Sequence, residues 1–529
     1  MNFLPRSYAV RLLVLAVLLY LPGLGSRDFW APVEPRYAEI ARVMFARSEW
    51  LVPTVNGDLY TDKPILYFWL VLVASKIAGG VSEWTVRLPA AMGGVGLVLA
   101  TYLFGRDFFS PRRGFIAGAV VGTAFRVLWE ARWAHVDMLF VCLFAGAMLF
   151  AARSLFLRGS PSELLGAYAL MGLATLTKGL IGIVLPALIG VLFIVVSRDW
   201  SLLRRLRIPA GLAVFLLVSA PWFLMVNAAT EGRWLADFIY IHHVQRYTAG
   251  AGHRQPFYYY LTTLPVDFLP WTVLAVPALW AYRREPIREK PVLLFLVCWF
   301  AAVFGFFSLS DTKRDLYLLP LFPPVALLVA SYIDDLAERR LPQDGLFRAL
   351  VSPFSHLVWV TGAALPFVAW AVRPDALRAA IPAGAVLLVG GLGAAHSARA
   401  RDAENLFRVV TLLMSSLLLT ASAAAIPYLE QFKSRRPFSV EVRAMVPPAA
   451  PLLVYADTMN DFNYYTGREV IEVVRSPAEV EKLLSAPFPV YLLIKDRDLK
   501  KLGIPMEGRV VAGSAVGGTA WSLLKLGAR

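Results

Sequence analysis

Long apolar runs separated by short polar loops fill the chain from its start to about residue 428. Each run is roughly 17–25 residues long, which is the length that a helix needs to cross a bilayer. Because backbone polar groups in lipid must be satisfied within the structure itself, these runs are predicted to be helices. The pattern therefore predicts a polytopic α-helical membrane protein. The runs begin near Tyr8, Pro64, Leu88, Gly114, Asp137, Glu163, Leu180, Ile208, Phe257, Val292, Tyr317, Val351, Ile381 and Phe407.

The basic residues of the short loops predict an orientation. Loops such as "GRDFFSPRRG" (105–114) and "YRREPIREK" (282–290) should face the cytoplasm, because Lys and Arg accumulate on that side. If every run crossed the membrane in turn, the basic loop 105–114 would lie on the outer side. One run before this loop must therefore not cross. We assign this role to Pro64–Gly80, which is short and interrupted by Lys76 and a glycine pair, and we predict a re-entrant or interfacial helix. About thirteen spanning helices remain, with the N-terminus inside and the C-terminus outside.

A polar, aromatic insertion, residues 25–87, separates the first predicted span from the next and should lie on the outer face. Within it, Pro35–Arg47 has the pattern of an amphipathic helix. We expect this helix to lie on the membrane surface with its apolar stripe against lipid. A surface helix without chemistry is the alternative. The stripe consists of Tyr37, Ile40, Ala41, Met44 and Phe45.

The end of the chain has a different pattern, in which strand-like runs alternate with helical stretches. The runs are "PLLVYA", "EVIEVV", "PVYLLI" and "RVVAGS", and Ser476 to Glu479 form a capping box. We therefore predict a transmembrane domain at 1–428 and a small soluble α/β domain at 429–529, on the outer side.

Composition and charge agree with this class of protein. The chain is 58% hydrophobic and only 17% charged, and its net charge of +15 comes from loops rather than from one face. The positive-inside rule explains that charge, so nucleic acid is not an expected partner. Cys142 and Cys298 lie inside apolar runs, so no disulfide framework is predicted. No small-residue cleavage site follows the first run, and we expect an uncleaved helix.

Several carboxylates fall on the predicted outer face. Glu34 stands at the start of the amphipathic helix, where the helix dipole favours a negative charge. Asp62 precedes the re-entrant helix and could bind a metal or a sugar hydroxyl. Asp137 follows Arg132 and His135 between two spans, although helix capping would also explain an Asp there. Asp267 lies near the outer end of an apolar run, and intramembrane carboxylates are often functional.

Cations on the same face are unexpected under the positive-inside rule. Lys178 lies in "TKG", and Lys313 and Arg314 lie in "SDTKRD" beside Asp311. A diphosphate or a lipid phosphate would suit them, because Arg offers a bidentate fork and Lys a point charge. Lys63 would also fit a phosphate, or serve as a snorkelling anchor.

His253 lies in "HRQPFYYY", just before a predicted helix. A single His is usually structural. Close to Asp62 and Glu34 it would complete a carboxylate–imidazole metal site, a ligand set that suits several divalent ions.

Motifs spread over nearly the whole chain, more weakly after about Pro342, resemble the lipid-linked glycosyltransferases of the GT-C type. They include "EPRYAEIARVM", "KPILYFW", "RLP" and "TKG". The similarity is to glycosyltransferase family 39 and to the bacterial aminoarabinose transferases that modify lipid A. It implies a GT-C fold in the bacterial inner membrane, with the active site and the C-terminal domain facing the periplasm. It further implies a polyprenyl-phosphate-linked sugar donor and an envelope acceptor. The chain shows no nucleotide-binding motif, and none is needed for such a donor.

The resemblance also assigns residues. It implies a catalytic Asp in the first outer loop, but this chain has Val33 there and keeps only Glu34. Asp62 and His253 stand at implied metal positions, so a divalent ion (Zn, Mg or Mn) is the implied cofactor. The predicted catalytic residues are Glu34, Asp62 and Asp137. The predicted binding residues for substrate or carrier phosphate are Arg36, Tyr37, Lys63, Arg132, Lys178, Tyr259, Lys313 and Arg314.

The change at Val33 affects the expected chemistry. A hydroxyl acceptor normally needs a general base, which contributes about 10²–10⁴-fold to the rate. Either Glu34 is that base, or the acceptor is an already anionic phosphate, as on lipid A. We expect inversion at the anomeric carbon, with Lys63, Lys178 and Arg314 neutralising the leaving phosphate. A protein O-mannosyltransferase-type enzyme and a flippase for a lipid-linked sugar are the alternatives.

Overall fold

Helices make up most of the chain. The structure is a computed structural model that describes residues 5–157, 160–245, 254–341, 345–503, 509–516 and 518–527. It divides into two compact units, which we call the helical unit and the mixed unit. The helical unit comprises Met1–Leu24, Thr61–Tyr67 and Arg87–Ala425, and the mixed unit comprises Gly25–Tyr60, Phe68–Val86 and Ile426–Arg529.

The α-helices up to residue 281 are α1 (Pro5–Tyr20), α2 (Val33–Ala46), α3 (Leu66–Ala78), α4 (Glu83–Phe108), α5 (Pro111–Thr123), α6 (Phe125–Glu130), α7 (Val136–Phe156), α8 (Pro161–Lys178), α9 (Ile181–Ser197), α10 (Leu202–Arg205), α11 (Ile208–Ala229), α12 (Arg233–Ile239), α13 (Tyr259–Asp267) and α14 (Thr272–Ala281). The later ones are α15 (Pro291–Leu309), α16 (Phe322–Ala337), α17 (Gly345–Val372), α18 (Leu377–Ala400), α19 (Ala403–Thr420), α20 (Ile426–Lys433), α21 (Arg436–Met445), α22 (Asn460–Thr466), α23 (Pro477–Leu484) and α24 (Asp496–Leu502).

The predicted spans coincide with helices. Among the described residues, eight helical segments are long and apolar enough to cross a membrane, or nine if the bent pair α13 and α14, which meet at 110°, counts as one span. The other predicted spans fall on α1, α5, α8 and α9, which have 16, 13, 18 and 17 residues. The polytopic helical fold class is therefore confirmed, and the thirteen runs correspond to eight full-length spans plus shorter or bent helices.

The run predicted not to cross forms a short helix. The thirteen residues of α3 rise about 20 Å, whereas the hydrocarbon core is about 30 Å thick. Helix α5 is equally short, but α6 follows it after one residue and extends the same apolar segment. Helix α3 alone is too short to cross a bilayer.

A five-stranded sheet forms the centre of the C-terminal part of the mixed unit. Its strand order is β4-β3-β5-β7-β6, with β3 parallel to β4 and β5, and β7 antiparallel to β5 and β6. The bounds are β3 Leu452–Tyr455, β4 Glu472–Val474, β5 Val490–Lys495, β6 Val510–Val516 and β7 Thr519–Leu526; a separate hairpin pairs β1 (Thr54–Val55) with β2 (Asp58–Leu59). The predicted α/β character is confirmed, although β7 was missing from the prediction.

Apolar side chains cover both faces of this sheet. One face packs around Phe438, Phe462 and Trp521, and the other around Val480 and Leu524. The predicted capping box is also present. The Ser476 hydroxyl accepts from the Glu479 N–H (3.3 Å), and the Glu479 carboxylate accepts from the Arg475 N–H (3.0 Å).

The apolar stripe of α2 is buried in protein, so the expectation that it lies against lipid is wrong. Ile40 and Ala41 are fully buried and Met44 is 1% exposed. The Tyr37 ring meets Phe68 and Tyr60 edge-to-face, with centroids 5.4 and 6.4 Å apart. The amphipathic pattern correctly predicted that one face of α2 is buried. The pattern is the same whether protein or lipid covers that face.

Hydrogen bonds connect the insertion to the C-terminal segment within the mixed unit. The Phe29 N–H donates to the Tyr465 hydroxyl (2.8 Å), and the Asp28 N–H donates to the Glu430 carboxylate (2.7 Å). The division of the structure therefore differs from the predicted domain boundaries. Residues 25–60 and 68–86 cluster with the segment that begins at Ile426 instead of with the transmembrane domain.

A buried carboxylate in α2 predicts a pH dependence. Burial raises the pKa of Glu39 from 4.5 to about 7, although its ion pair with Arg42 (2.7 Å) acts in the opposite direction. Because the folded state holds this proton more tightly, its stabilising contribution is complete below pH 4.5 and is lost as the pH rises through about 7. The difference corresponds to about 3 kcal/mol.

Thermal unfolding at pH 5 and pH 8 tests this expectation. The Glu39→Gln variant should lose this part of the pH dependence, whereas the exposed Glu472 serves as a control whose Gln variant should behave as wild type. An unchanged pH dependence in the Glu39 variant would contradict the assignment.

Candidate active site

A buried ion pair lies where α7 begins and α8 ends. The Lys178 ammonium donates to the Asp137 carboxylate at 2.5 Å, and each side chain is 9% exposed. The ammonium also lies 5.0 Å from the Phe140 ring centroid and 4.8 Å from that of Tyr317. Aromatic faces attract cations, so the pair and both rings hold the Lys178 charge at a fixed position.

Two further cations lie within electrostatic range of this pair. The charges of Lys63 and Arg314 both act on Lys178, and Arg314 also acts on Asp137. We call Lys63, Lys178 and Arg314 the cation cluster. All three belong to the helical unit, although they are far apart in sequence. A cluster of this kind suits a phosphate group. The structure thus brings together three of the predicted phosphate-binding residues.

A histidine that the sequence analysis passed over lies beside Asp62. His242 Nδ1 is 3.3 Å from Asp62 Oδ1, and Nε2 is 3.2 Å from the Thr61 hydroxyl. Asp62 also accepts from the Lys63 ammonium at 3.0 Å. The predicted partner His253 lies outside the described residues. In the sequence, His242 lies in "IHHVQRY" (241–247), which belongs to the same predicted outer loop as His253.

The described residues around Asp62 supply fewer than three potential metal ligands. A carboxylate and an imidazole are suitable ligands for Zn²⁺ or Mn²⁺. In the described ranges, however, no group of three or more His, Cys, Asp or Glu side chains could hold a metal ion. The divalent ion therefore stays a prediction.

Glu34 is held in a structural ion pair. Its carboxylate accepts two hydrogen bonds from the Arg27 guanidinium, at 2.5 and 2.8 Å, and one from the Trp30 N–H at 3.1 Å. The Glu34 side chain is fully buried, and that of Arg27 is 7% exposed. A carboxylate neutralised and enclosed in this way does not fit the role of general base predicted for Glu34.

Two cations assigned to phosphate binding bind backbone carbonyls instead. Arg132 donates to the carbonyl oxygens of Leu19 (3.0 Å) and Pro22 (2.8 Å), where α1 ends. Cations are favoured there because the last carbonyls of a helix have no intrahelical partner. Lys313 is 5% exposed and donates to the Ser310 carbonyl at 2.5 Å. These contacts correct the predictions for Arg132 and Lys313.

The other predicted binding residues occupy separate elements. Arg36 is half-buried in the first turn of α2, and Tyr37 is buried in the aromatic contacts described above; both belong to the mixed unit. Tyr259 begins α13 in the helical unit and is half-buried. The structure does not place Arg36 or Tyr37 in the same compact unit as the cation cluster.

A carboxylate network near Arg314 was largely missed. Arg126 pairs with Glu130 (3.4 Å), Asp267 (2.6 Å) and Asp315. Glu130 also contacts His135 Nδ1 at 2.7 Å. The sequence gave little reason to predict this network. Arg126 and Asp315 lie at the ends of apolar runs, where charged residues are expected simply because the chain leaves the membrane there.

The helical unit with its candidate spans and the C-terminal sheet have the fold of a multi-pass membrane glycosyltransferase of the GT-C class, as the following comparisons show. A family model described as dolichyl-phosphate-mannose-protein mannosyltransferase matches residues 62–224. An undecaprenyl phosphate-α-4-amino-4-deoxy-L-arabinose arabinosyl transferase from Shewanella sediminis is 30% identical over 482 residues, covering 88% of this chain and 85% of that protein. The chain belongs to this family of arabinosyl transferases.

Further comparisons agree on family and fold. The transferase of the same name from Pectobacterium atrosepticum is 33% identical over 335 residues, covering 62% of this chain and 59% of its own length. The crystal structure of ArnT from Cupriavidus metallidurans bound to undecaprenyl phosphate aligns with a TM-score of 0.81 over 98% of both chains, at 24% identity. The archaeal oligosaccharyltransferase AglB from Archaeoglobus fulgidus aligns with a TM-score of 0.56 and 14% identity, over 93% of this chain and 69% of its own.

Proposed function

We propose that this protein transfers 4-amino-4-deoxy-L-arabinose from undecaprenyl phosphate to a phosphate group of lipid A. The cation cluster is the observation that carries this proposal, because three cations close enough for their charges to act on Lys178 and Asp137 suit the phosphate of a lipid carrier. The names of the relatives support the sugar and the carrier. In this proposal the enzyme lies in the inner membrane, and its site and C-terminal domain face the periplasm, as the positive-inside rule predicts.

The proposed reaction is an inverting displacement at the anomeric carbon. An acceptor oxygen forms a bond to that carbon, while the bond from the carbon to the carrier phosphate breaks. The bonding electrons leave with undecaprenyl phosphate, so negative charge grows on the leaving oxygen. Lys63, Lys178 and Arg314 would stabilise this charge, and preorganised cations in a site shielded from water act strongly on it. Asp137 would hold Lys178 in position.

The state of two residues in the first outer loop supports a phosphate acceptor. Val33 supplies no carboxylate, and Glu34 is held by Arg27. An acceptor hydroxyl normally needs a base, whereas a phosphate monoester is anionic near neutral pH because its second pKa is about 6. A phosphate group on lipid A therefore reacts with less assistance than a hydroxyl group.

A reconstituted transfer assay tests the proposal. Purified protein in liposomes with undecaprenyl phosphate-aminoarabinose should add one aminopentose mass to lipid A, measured by mass spectrometry. Lipid A without its phosphates is the matched acceptor control and should stay unmodified. Modification of the dephosphorylated acceptor would overturn the choice of phosphate.

The family model favours one alternative, transfer to a protein hydroxyl. A Ser- and Thr-containing peptide in the same assay distinguishes it from the proposal. Sugar on the peptide with lipid A unchanged would move the acceptor class to protein. With no product on either acceptor, while the carrier-linked sugar remains intact, the proposed function would fail.

A further inference from the structure

Three carboxylates face the guanidinium of Arg126 in the helical unit. Nε and Nη2 donate to Asp267 Oδ1 at 3.0 and 2.6 Å, and Nη2 also pairs with Asp315. Glu130 lies 3.4 Å from Nη1. The side chains of Arg126, Glu130 and Asp267 are 14%, 2% and 4% exposed. Because this group holds more carboxylates than guanidinium ions, it attracts any further cation nearby.

Arg314 precedes Asp315 directly but pairs with none of these carboxylates. Among the residues that the structure describes, its half-buried guanidinium forms no ion pair or hydrogen bond. Lys63 and Lys178, the other members of the cation cluster, each pair with a carboxylate, at 3.0 and 2.5 Å. Arg314 is therefore the member of the cluster whose donors stay available to a ligand.

The backbone of Arg314 is held by the helix that also carries Asp267. The Arg314 carbonyl oxygen accepts from the Tyr260 hydroxyl (3.2 Å) and from the Tyr317 N–H (3.1 Å). Tyr260 lies in α13, which ends at Asp267. Because Arg126 binds both Asp267 and Asp315, it ties α13 to the segment 314–315. These contacts place Arg126 directly beside the segment that carries Arg314.

Loss of Arg126 would free a carboxylate next to Arg314. Asp315 Oδ2 pairs with Arg126, and Oδ1 accepts from the Leu316 N–H at 2.9 Å. A charge that loses its partner inside a protein is costly, so it favours any other partner within reach. Adjacent side chains can pair in this way, since Arg106 binds the Asp107 that follows it at 2.7 Å. Arg314 and Asp315 have the same order in the chain.

We propose that Arg126 is a positioning residue that occupies Asp267 and Asp315 and thereby keeps the Arg314 guanidinium free to bind the phosphate of the lipid carrier. This inference rests on the proposed function. Arg126 acts through Arg314 and not on the carrier itself. The two arginines thus divide the work: one binds the ligand, and the other restrains the carboxylates that compete with the ligand.

Binding of undecaprenyl phosphate to the full-length protein in phosphatidylcholine nanodiscs tests the proposal without an acceptor. Arg314→Met should weaken binding about 10–100-fold, the value of a hydrogen bond to a charged group. Arg126→Met should cause a similar loss. The Arg126→Met/Arg314→Met variant should bind no more weakly than Arg314→Met, because Arg126 acts through Arg314. Additive losses would overturn the proposal. Wild-type protein that binds undecaprenyl phosphate no better than undecaprenol would refute the proposed function instead.

Removal of the freed carboxylate should rescue binding. Arg126→Met/Asp315→Asn should recover most of the wild-type affinity, because Arg314 then has no competing partner beside it. Arg126→Met/Glu130→Gln is the matched control and should stay weak, since Glu130 already contacts His135 Nδ1 at 2.7 Å. Rescue by both changes would indicate a general effect of charge, and rescue by neither would exclude Asp315 as the competitor. Either result would contradict the proposal.

Arg113 separates this role from a general loss of stability. It is 19% exposed and pairs with Asp334 (2.9 Å) and Asp335 (2.5 Å) in the same unit. Arg113→Met should lower the unfolding temperature but keep the affinity for undecaprenyl phosphate. If Arg126→Met does not fold, Arg126→Lys gives the same test, because an ammonium lacks the fork that holds two carboxylates. Equal losses of affinity in the Arg113 and Arg126 variants would refute the positioning role.

Discussion

Replacing Glu34 by glutamine should destabilise the protein by about 3–5 kcal/mol while the folded fraction still transfers sugar. The substitution leaves the buried Arg27 guanidinium without its carboxylate, and an uncompensated buried charge costs about this much. Thermal unfolding in detergent gives the stability, and turnover is normalised to folded protein. The Arg27→Met/Glu34→Met double variant should recover most of the lost stability, because it removes both charges.

An exposed ion pair in the same unit provides the control. Arg47 and Glu469 are 56% and 33% exposed, and such pairs contribute about 0–1 kcal/mol. Glu469→Gln should therefore unfold close to the wild-type temperature. A Glu34→Gln protein that is stable but loses more than about 100-fold in turnover would restore Glu34 as the base.

Replacing Lys178 by methionine should lower kcat/KM by about 10²–10³-fold, since one preorganised charge is then missing from the leaving phosphate. The same change should cost about 3–5 kcal/mol of stability, because Asp137 loses its buried partner. The double variant Lys178→Met/Asp137→Asn should recover stability but not transfer. Affinity for undecaprenyl phosphate should fall in both variants.

Lys313 offers a matched cation whose contacts are structural. Lys313→Met removes a buried ammonium that donates to the Ser310 and Gln255 carbonyls, at 2.5 and 3.3 Å. We expect lower stability but near-normal turnover of the folded protein. Equal losses of kcat/KM in the Lys313 and Lys178 variants would show that the residues of the cation cluster were assigned wrongly.

Hydropathy and charge predicted the fold well, because the membrane constrains every span in the same way. The helices, the C-terminal α/β segment and the short α3 all follow from run lengths and turn signals. Lys178 and Arg314 were singled out because cations on the outer face contradict the positive-inside rule, and Lys63 because it precedes the re-entrant helix; their binding of a phosphate stays a prediction. Each of these features can be recognised from a short, continuous stretch of sequence.

The errors concern partners distant in sequence or hidden in a turn. The burial of α2 depends on Phe68 and on the C-terminal segment, which no helical periodicity encodes. The sequence analysis also passed over His242, a spatial neighbour of Asp62, while its prediction for His253 stays untested. Arg132 was taken for a phosphate ligand because a basic residue in a loop does not reveal that carbonyls at the end of α1 surround it.

The packing of the insertion (25–60 and 68–86) with the C-terminal segment from Ile426 onward has a consequence for biosynthesis. Phe29 and Tyr465, which share a hydrogen bond, are 436 residues apart. At about 5–20 residues per second, the ribosome needs roughly 20 to 90 seconds to make the second after the first. Until then α2 lacks its contacts with α22, although Tyr60 and Phe68 are already available to cover Tyr37. The packing of α2 is therefore completed only late in synthesis, and a chain shortened before α22 would leave part of this apolar helix uncovered.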